Sequence, residues 1–169
     1  MTATVLRTER LVLRPPAPRN ARVIARAVNN INVSRWLTRV PFPYGITDAQ
    51  WFVSENQAGR FNARLIWADD IFVGTIGLDQ ELGYWLAQAA WGRGYATEAA
   101  RAVLDDHFAD GTADLVKSSH FAENTASRNV LDKLGFVDVG PCTHFSKARN
   151  APVPGRSMEL TRSRWEQAR

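Results

Sequence analysis

The stretch "WGRGYATEA", Trp91 to Ala99, holds the residue types that most directly suggest chemistry. Gly92 and Gly94 flank a single arginine and stand directly before an amphipathic pattern, with Ala96, Ala99, Ala100, Val103, Leu104 and Phe108 on one face. Glycine is unfavourable in ordered structure unless the backbone must turn sharply or approach something closely. A glycine turn that opens a helix forms an anion site, because the first helical N–H groups lack partners and the helix dipole places partial positive charge there. Gly92 and Gly94 leave room for a phosphate, and Arg93 adds charge. No G-x-x-x-x-G-K-S/T run is present, and the position three after Gly94 is Thr97 where a dinucleotide fingerprint requires Gly or Ala. The pattern points to a phosphate compound without choosing one, and a tight turn with no ligand is the competing reading.

A second cluster, "NTASRNVLDKLGF", begins at Asn124 and ends at Phe136. Asn124 suits a helix N-cap, Ser127 falls in the first turn, and Gly135 suits the helix end.

These clusters must be carried by regular elements. "RLVLRPP" alternates leucines with other residues and stops at two prolines, which reads as an opening strand. Asn20 precedes a helix with Ala21, Ile24, Ala25 and Val28 on one side, and Thr47 with Gln50 forms a capping-box pattern before a short helix. Two apolar runs joined by Asp69 and Asp70 read as an antiparallel hairpin. "ELGYWLAQ" is a strand running into the glycine turn, "LVKSSHF" another, and "FVDVG" and "GRSMELT" the last two. Residues 141–156, with three prolines and basic side chains, read as a long mobile connection. The count is about seven strands and about four helices, with no repeat.

The 169 residues, 45% hydrophobic and 22% charged, suit one domain spanning 1–169. No apolar run approaches the roughly 20 residues of a membrane span, and "MTATVLRTER" lacks a signal-peptide centre, so a soluble, cytoplasmic protein is expected. Cys142 is the single cysteine, which excludes intramolecular disulfides and a cysteine-built zinc site; no metal site is expected. The net charge of +4 and pI near 9.7 favour anionic ligands. The arginines are scattered, which argues against a nucleic-acid partner.

Taken with "TERLVLRPP" and "GYWLAQAAWGRGYATEA", the pattern N-x-x-S-x-x-x-L-x-x-x-G-F from Asn124 to Phe136 resembles the GNAT superfamily of acyl-CoA-dependent N-acetyltransferases. The likeness runs from Thr8 to about Trp165 and is greatest to the ribosomal-protein N-terminal acetyltransferase branch. It implies an α+β fold: a twisted, mainly antiparallel sheet with a splayed parallel central pair and helices on both faces. The family's pyrophosphate loop, Q/R-x-x-G-x-G/A, falls on Trp91 to Ala96, with Trp91 departing from the Gln/Arg position. Cofactor contact is thereby implied for Trp91, Gly92, Arg93, Gly94, Ala96 and Thr97, and for Asn124 near the pantetheine end of acetyl-CoA. Ser127 would stand close to the leaving thiolate, and the acetyl group would pass to an amine on a protein N-terminus or a small molecule.

The resembled branch implies a general-base glutamate after "LGF", yet "VDVGPCTHFSKARN" contains none. His144 in that segment, Glu81 at the head of its strand acting through water, and His120 are the candidates. Trp36 and Tyr44 are candidate walls of the acceptor site. The missing glutamate also admits a module that binds acyl-CoA as a sensor with little catalysis. A homodimer is compatible with the resemblance, although no stretch marks an interface.

Overall fold

The computed structural model describes residues 4–169; the first three residues of the segment read as lacking a leader lie outside the described residues. Eight strands form one sheet: β1 Leu6–Arg7, β2 Leu11–Arg14, β3 Ala63–Ala68, β4 Ile71–Leu78, β5 Leu82–Leu86, β6 Leu115–Phe121, β7 Val137–Ser146 and β8 Ala151–Thr161. Their spatial order is β1-β2-β3-β4-β5-β6-β8-β7, and every neighbouring pair is antiparallel except β5 and β6. Six α-helices lie among them: α1 Ala21–Val28, α2 Ile31–Ser34, α3 Ile46–Gln57, α4 Tyr95–Phe108, α5 Thr125–Leu134 and α6 Arg162–Gln167.

Two apolar cores, one on each side of the sheet, explain why the helices divide between its faces. Leu11, Leu13, Ile66 and Leu82 pack with Ala99, Val103 and Leu104 of α4 and Leu131 of α5. Leu65 and Phe72 pack on the opposite side with Ile24 and Val28 of α1 and Val53 of α3. Successive strand residues point to opposite faces, so Tyr84 and Leu86 of β5 join the α4/α5 side while Trp85 joins the α1/α3 side.

The hairpin read at Asp69 and Asp70 is present, and both residues adopt positive φ, 47° and 61°, as a two-residue primed turn requires. Three readings need correction. The helix at Thr47 begins earlier, at Ile46, where the Gly45 N–H donates to Asp48. β1, only two residues long and with no pattern of its own, adds an eighth strand to the seven read, and the short helices α2 and α6 add two to the four read.

The third correction concerns residues 141–156, which are strands and a tight turn, not a mobile connection. Their prolines sit where a missing N–H costs no ladder bond. Pro141 is on the edge strand β7, and Pro152 and Pro154 lie on β8 beyond Gly155, where pairing with β6 has ended. The Pro154 carbonyl still accepts from the Ala122 N–H at 2.9 Å.

The parallel pair splays. Only Leu82 and Ser118 are in register, and the Ser118 hydroxyl seals that point by donating to the Leu82 carbonyl at 2.8 Å. Beyond it β5 leaves β6, for a reason that lies in β4. Ile66 pairs with Gly74 and Trp67 with Phe72, so Val73 is an extra residue, a bulge that bends the strand. Gly74 then lets β5 cross very closely: a Cβ there would lie 2.2 Å from the Trp85 carbonyl oxygen. The Ala87 N–H donates to the Val73 carbonyl at 2.8 Å and ties the end of β5 to the bulge.

Candidate active site

At the open end of the wedge the chain turns through Gln88–Ala90 and Trp91 to Gly94 before α4. Gly92 and Gly94 have φ of 75° and 78°, which L side chains rarely adopt, and a Cβ on Gly92 would meet nothing within 4 Å. No side chain caps α4, and its first backbone bond runs from the Glu98 N–H to the Gly94 carbonyl. The amides of Tyr95, Ala96 and Thr97 therefore have no helical acceptor. A turn with two glycines at positive φ beneath unpaired amides at the positive end of a 14-residue helix suits the pyrophosphate of a coenzyme.

One carboxylate stands in this first turn, Glu98, and it would repel a phosphate if left bare. It accepts from the Thr8 hydroxyl at 2.5 Å, the Arg10 N–H at 3.0 Å and Arg10 Nε at 2.7 Å. Burial alone would raise its pKa, but these donors and the Arg10 charge outweigh it and hold the carboxyl below its ordinary value. Arg10 also donates through Nη1 to the Arg93 carbonyl at 3.0 Å and lies over the Tyr95 ring at 4.9 Å. The opening "TER" segment thus neutralises Glu98 and braces the glycine turn. Trp91 secures the other side, its Nε1 donating to the Leu86 carbonyl at 3.0 Å while its ring stays exposed.

The wedge has two unlike faces. On the α5 side stand Tyr84, Ser127 and Asn124. The Tyr84 hydroxyl is 2.9 Å from Ser127 Oγ and donates to the Ser127 carbonyl at 3.3 Å in one orientation. Asn124 caps α5, its Oδ1 accepting from the Ser127 N–H at 3.1 Å. His120 is buried on this side in the row of Val116 and Ser118. Its Nδ1 lies 2.8 Å from the Phe121 carbonyl, which can only accept, so a hydrogen bond there has Nδ1 as donor, while Nε2 is buried without a partner.

On the opposite face Gly83 and Trp85 alternate along β5, with Glu81 just before the strand, beside Ser119 and Phe121 of β6. Glu81 is exposed and accepts from the Ser119 hydroxyl at 3.1 Å. A Cβ at Gly83 would meet nothing within 4 Å, so the floor between Glu81 and Trp85 is open. Ser119, Ser157 and Gly140 form one cross-strand row, whereas His144 pairs with Val153 further along β7; the structure does not bring His144 to Glu81. Trp36 is half-buried between Arg35 and Arg149, whose guanidinium also faces Phe121 at 5.3 Å. Tyr44 belongs to the α1/α3 core, and burial together with the Asp48 charge pushes its phenol up to about 12.

The family model for the acetyltransferase (GNAT) domain matches residues 10–137. The chain belongs to the GNAT acetyltransferase family. Enzymes of this family take acetyl-CoA as the acyl donor, and the amide cradle and splayed strands fit that donor. An uncharacterised N-acetyltransferase of Bacillus licheniformis is 29% identical over 159 residues, 85% of this chain and 88% of that one. RimJ of Mycobacterium smegmatis, solved in complex with CoA-disulfide, superposes with a TM-score of 0.79 at 25% identity over 95% of this chain and 87% of its own. A GNAT-family acetyltransferase of Bacillus anthracis superposes with a TM-score of 0.81 at 20% identity over 94% and 98%. Among the described residues no helix of this GNAT chain is long and apolar enough to cross a membrane.

Sequence reasoning missed three contributors. Arg10 reaches the turn from 83 residues away, and no local pattern signals that. Val73 is a bulge visible only in register. Tyr84 could have been noticed as a polar-tipped aromatic on the core face of its strand, which requires a partner for its hydroxyl.

Proposed function

We propose that this GNAT enzyme transfers acetyl from acetyl-CoA to a primary amine, a protein N-terminal amine or that of a small molecule, by direct attack on the thioester. One observation carries the reading: past the single Leu82–Ser118 register the parallel pair parts along the stretch of β5 that leads to the amide cradle, Gly83 leaves open space on one face of that stretch, and Glu81 stands at its start. The amides around Gly92, Arg93, Gly94, Ala96 and Thr97 hold the pyrophosphate, with Arg93 adding charge and Trp91 fixing the end of β5. The pantetheine arm runs into the wedge as an extra strand against β5, passing the side-chain N–H2 of Asn124. Trp36 and Phe121 border the approach of the acceptor.

In the reaction the amine nitrogen attacks the thioester carbon, and backbone N–H groups of β5 stabilise the oxygen as it gains charge. Glu81 takes the amine's proton directly or through one water, with the Ser119 hydroxyl orienting it. The C–S bond then breaks, and Ser127 donates a hydrogen bond to the leaving sulfur, which takes up a proton from solvent. His144 and His120 are given no step. Thiol release across a panel of N-terminal peptides and small amines identifies the acceptor. With it in hand, Glu81→Gln is expected to lower kcat/KM by about 10²-fold while the Kd of acetyl-CoA stays the same. An unchanged kcat/KM would discard Glu81 as the base.

A further inference from the structure

The hydroxyl pair between β5 and α5 has no explanation in packing alone. Tyr84 sits on the core face of β5, and its oxygen stands within reach of two Ser127 atoms, Oγ at 2.9 Å and the carbonyl oxygen at 3.3 Å. The carbonyl can only accept, whereas Oγ can donate or accept. Two proton arrangements therefore share one heavy-atom geometry. In the first, Tyr84 donates to the carbonyl and receives the Ser127 proton. In the second, Tyr84 donates to Ser127 Oγ, and the serine proton is free to point elsewhere.

We propose that Tyr84 is a positioning residue that switches Ser127 from an internally satisfied hydroxyl to a donor aimed at the departing sulfur of the coenzyme. The proposal rests on the reading above, in which Ser127 lies beside that sulfur. Without a ligand the pair adopts the first arrangement, which leaves no proton unused. When the sulfur becomes a thiolate, both hydroxyls rotate: Ser127 donates to sulfur and Tyr84 donates to Ser127 Oγ. No bond between heavy atoms forms or breaks at either residue, and each keeps its proton. A donor behind a donor strengthens the outer hydrogen bond, because the chain polarises.

The role needs a phenol that stays protonated throughout the working range. Burial pushes the Tyr84 hydroxyl up to about 12, although its hydrogen bond to Ser127 pulls the other way. Tyr84 is thus a donor, not a proton source, and removing its hydroxyl removes the second arrangement while the ring still fills its place against α4 and α5.

The test reads the acidity of the thiol of free CoA bound to the protein, so it needs no acceptor. Thiolate absorbance near 240 nm is followed against pH as the difference between CoA-loaded and CoA-free protein. A Cys142→Ser background removes the one protein thiol. Saturation is verified by calorimetry for each variant. Ser127→Ala is expected to raise the bound thiol's pKa by about one unit, a tenfold loss of acidity, and Tyr84→Phe by about half a unit, roughly threefold. The double variant should match Ser127→Ala alone, since Tyr84 acts only through Ser127. A Tyr84→Phe value equal to that of the background protein, with Ser127→Ala shifted, overturns the proposal and leaves the acetyltransferase reading intact. A double variant shifted further than Ser127→Ala also overturns it, because Tyr84 would then reach sulfur itself. No shift in Ser127→Ala removes Ser127 from the thiol and the proposal with it. Failure of the background protein to bind CoA would sink the acetyltransferase reading first.

Discussion

Gly74→Ala tests the physical origin of the wedge. A Cβ at this position would lie 2.2 Å from the Trp85 carbonyl oxygen, 2.8 Å from Leu86 Cδ2 and 2.9 Å from Leu86 Cα. The Leu86 side chain can rotate, but the two backbone atoms cannot. Restoring ordinary contact at 3.4 Å moves the Trp85 carbonyl by about 1.2 Å, which displaces β5 along the stretch that faces the coenzyme. Two effects follow. Overpacking of a close strand contact costs about 1–3 kcal/mol, or about 2–12 °C in Tm for a chain of this size. Loss of about two backbone hydrogen bonds to the pantetheine arm, each about 0.5–1.5 kcal/mol, weakens acetyl-CoA binding by about 5–150-fold. Thermal unfolding and calorimetric titration read the two separately. A folded Gly74→Ala protein that binds acetyl-CoA like the wild type would refute the claim that this close crossing opens the site.

Gly83→Leu places a side chain on the open floor beside Glu81, so the acceptor KM should rise at least tenfold while the Kd of acetyl-CoA stays within about twofold; equal KM values would locate the acceptor elsewhere. Arg10→Met removes the donors to Glu98 and to the Arg93 carbonyl but keeps much of the stem, and about 1–2 kcal/mol should appear as acetyl-CoA binding weakened by about 5–30-fold. Binding at wild-type strength would show that the turn needs no brace. Asp138 is held down to about 2, first by its hydrogen bonds from Arg156 and also by the Gly140 N–H and Arg128. A carboxyl lowered on folding stabilises above its unfolded pKa, so this contribution should be lost as pH falls from about 4 to about 2. Asp138→Asn should flatten the pH dependence of Tm in that window.

The elements that position the site divide by the range of the forces that make them. The Asp69-Asp70 turn, the Asn124 cap and the glycine turn into α4 are local events, each set by the φ preference or capping chemistry of one or two residues, and each could be read directly. The hairpin of β7 and β8 could not, because Pro152 and Pro154 look like breakers until β6 is known to end opposite Gly155. Whether a proline is tolerated depends on which neighbour is missing, which is a property of the sheet. In the same way Glu98 reads as an acidic residue in the first turn of its helix, and only the fold supplies Arg10. Glu81 and Gly83 were visible as residues, but that they share an open face depends on where the parallel pair stops.

The most direct measurement is calorimetric titration of acetyl-CoA into the wild-type protein and into Gly94→Asp. Aspartate tolerates the positive φ of 78° better than most residues, and its Cβ would meet the Arg10 side chain at an ordinary 3.5 Å. The variant should therefore fold, with a carboxylate occupying the amide cradle. Saturable binding to the wild type and none to Gly94→Asp is the expected result. Equal binding to both would put the coenzyme somewhere other than this turn, and no binding to the wild type would contradict the proposed function itself.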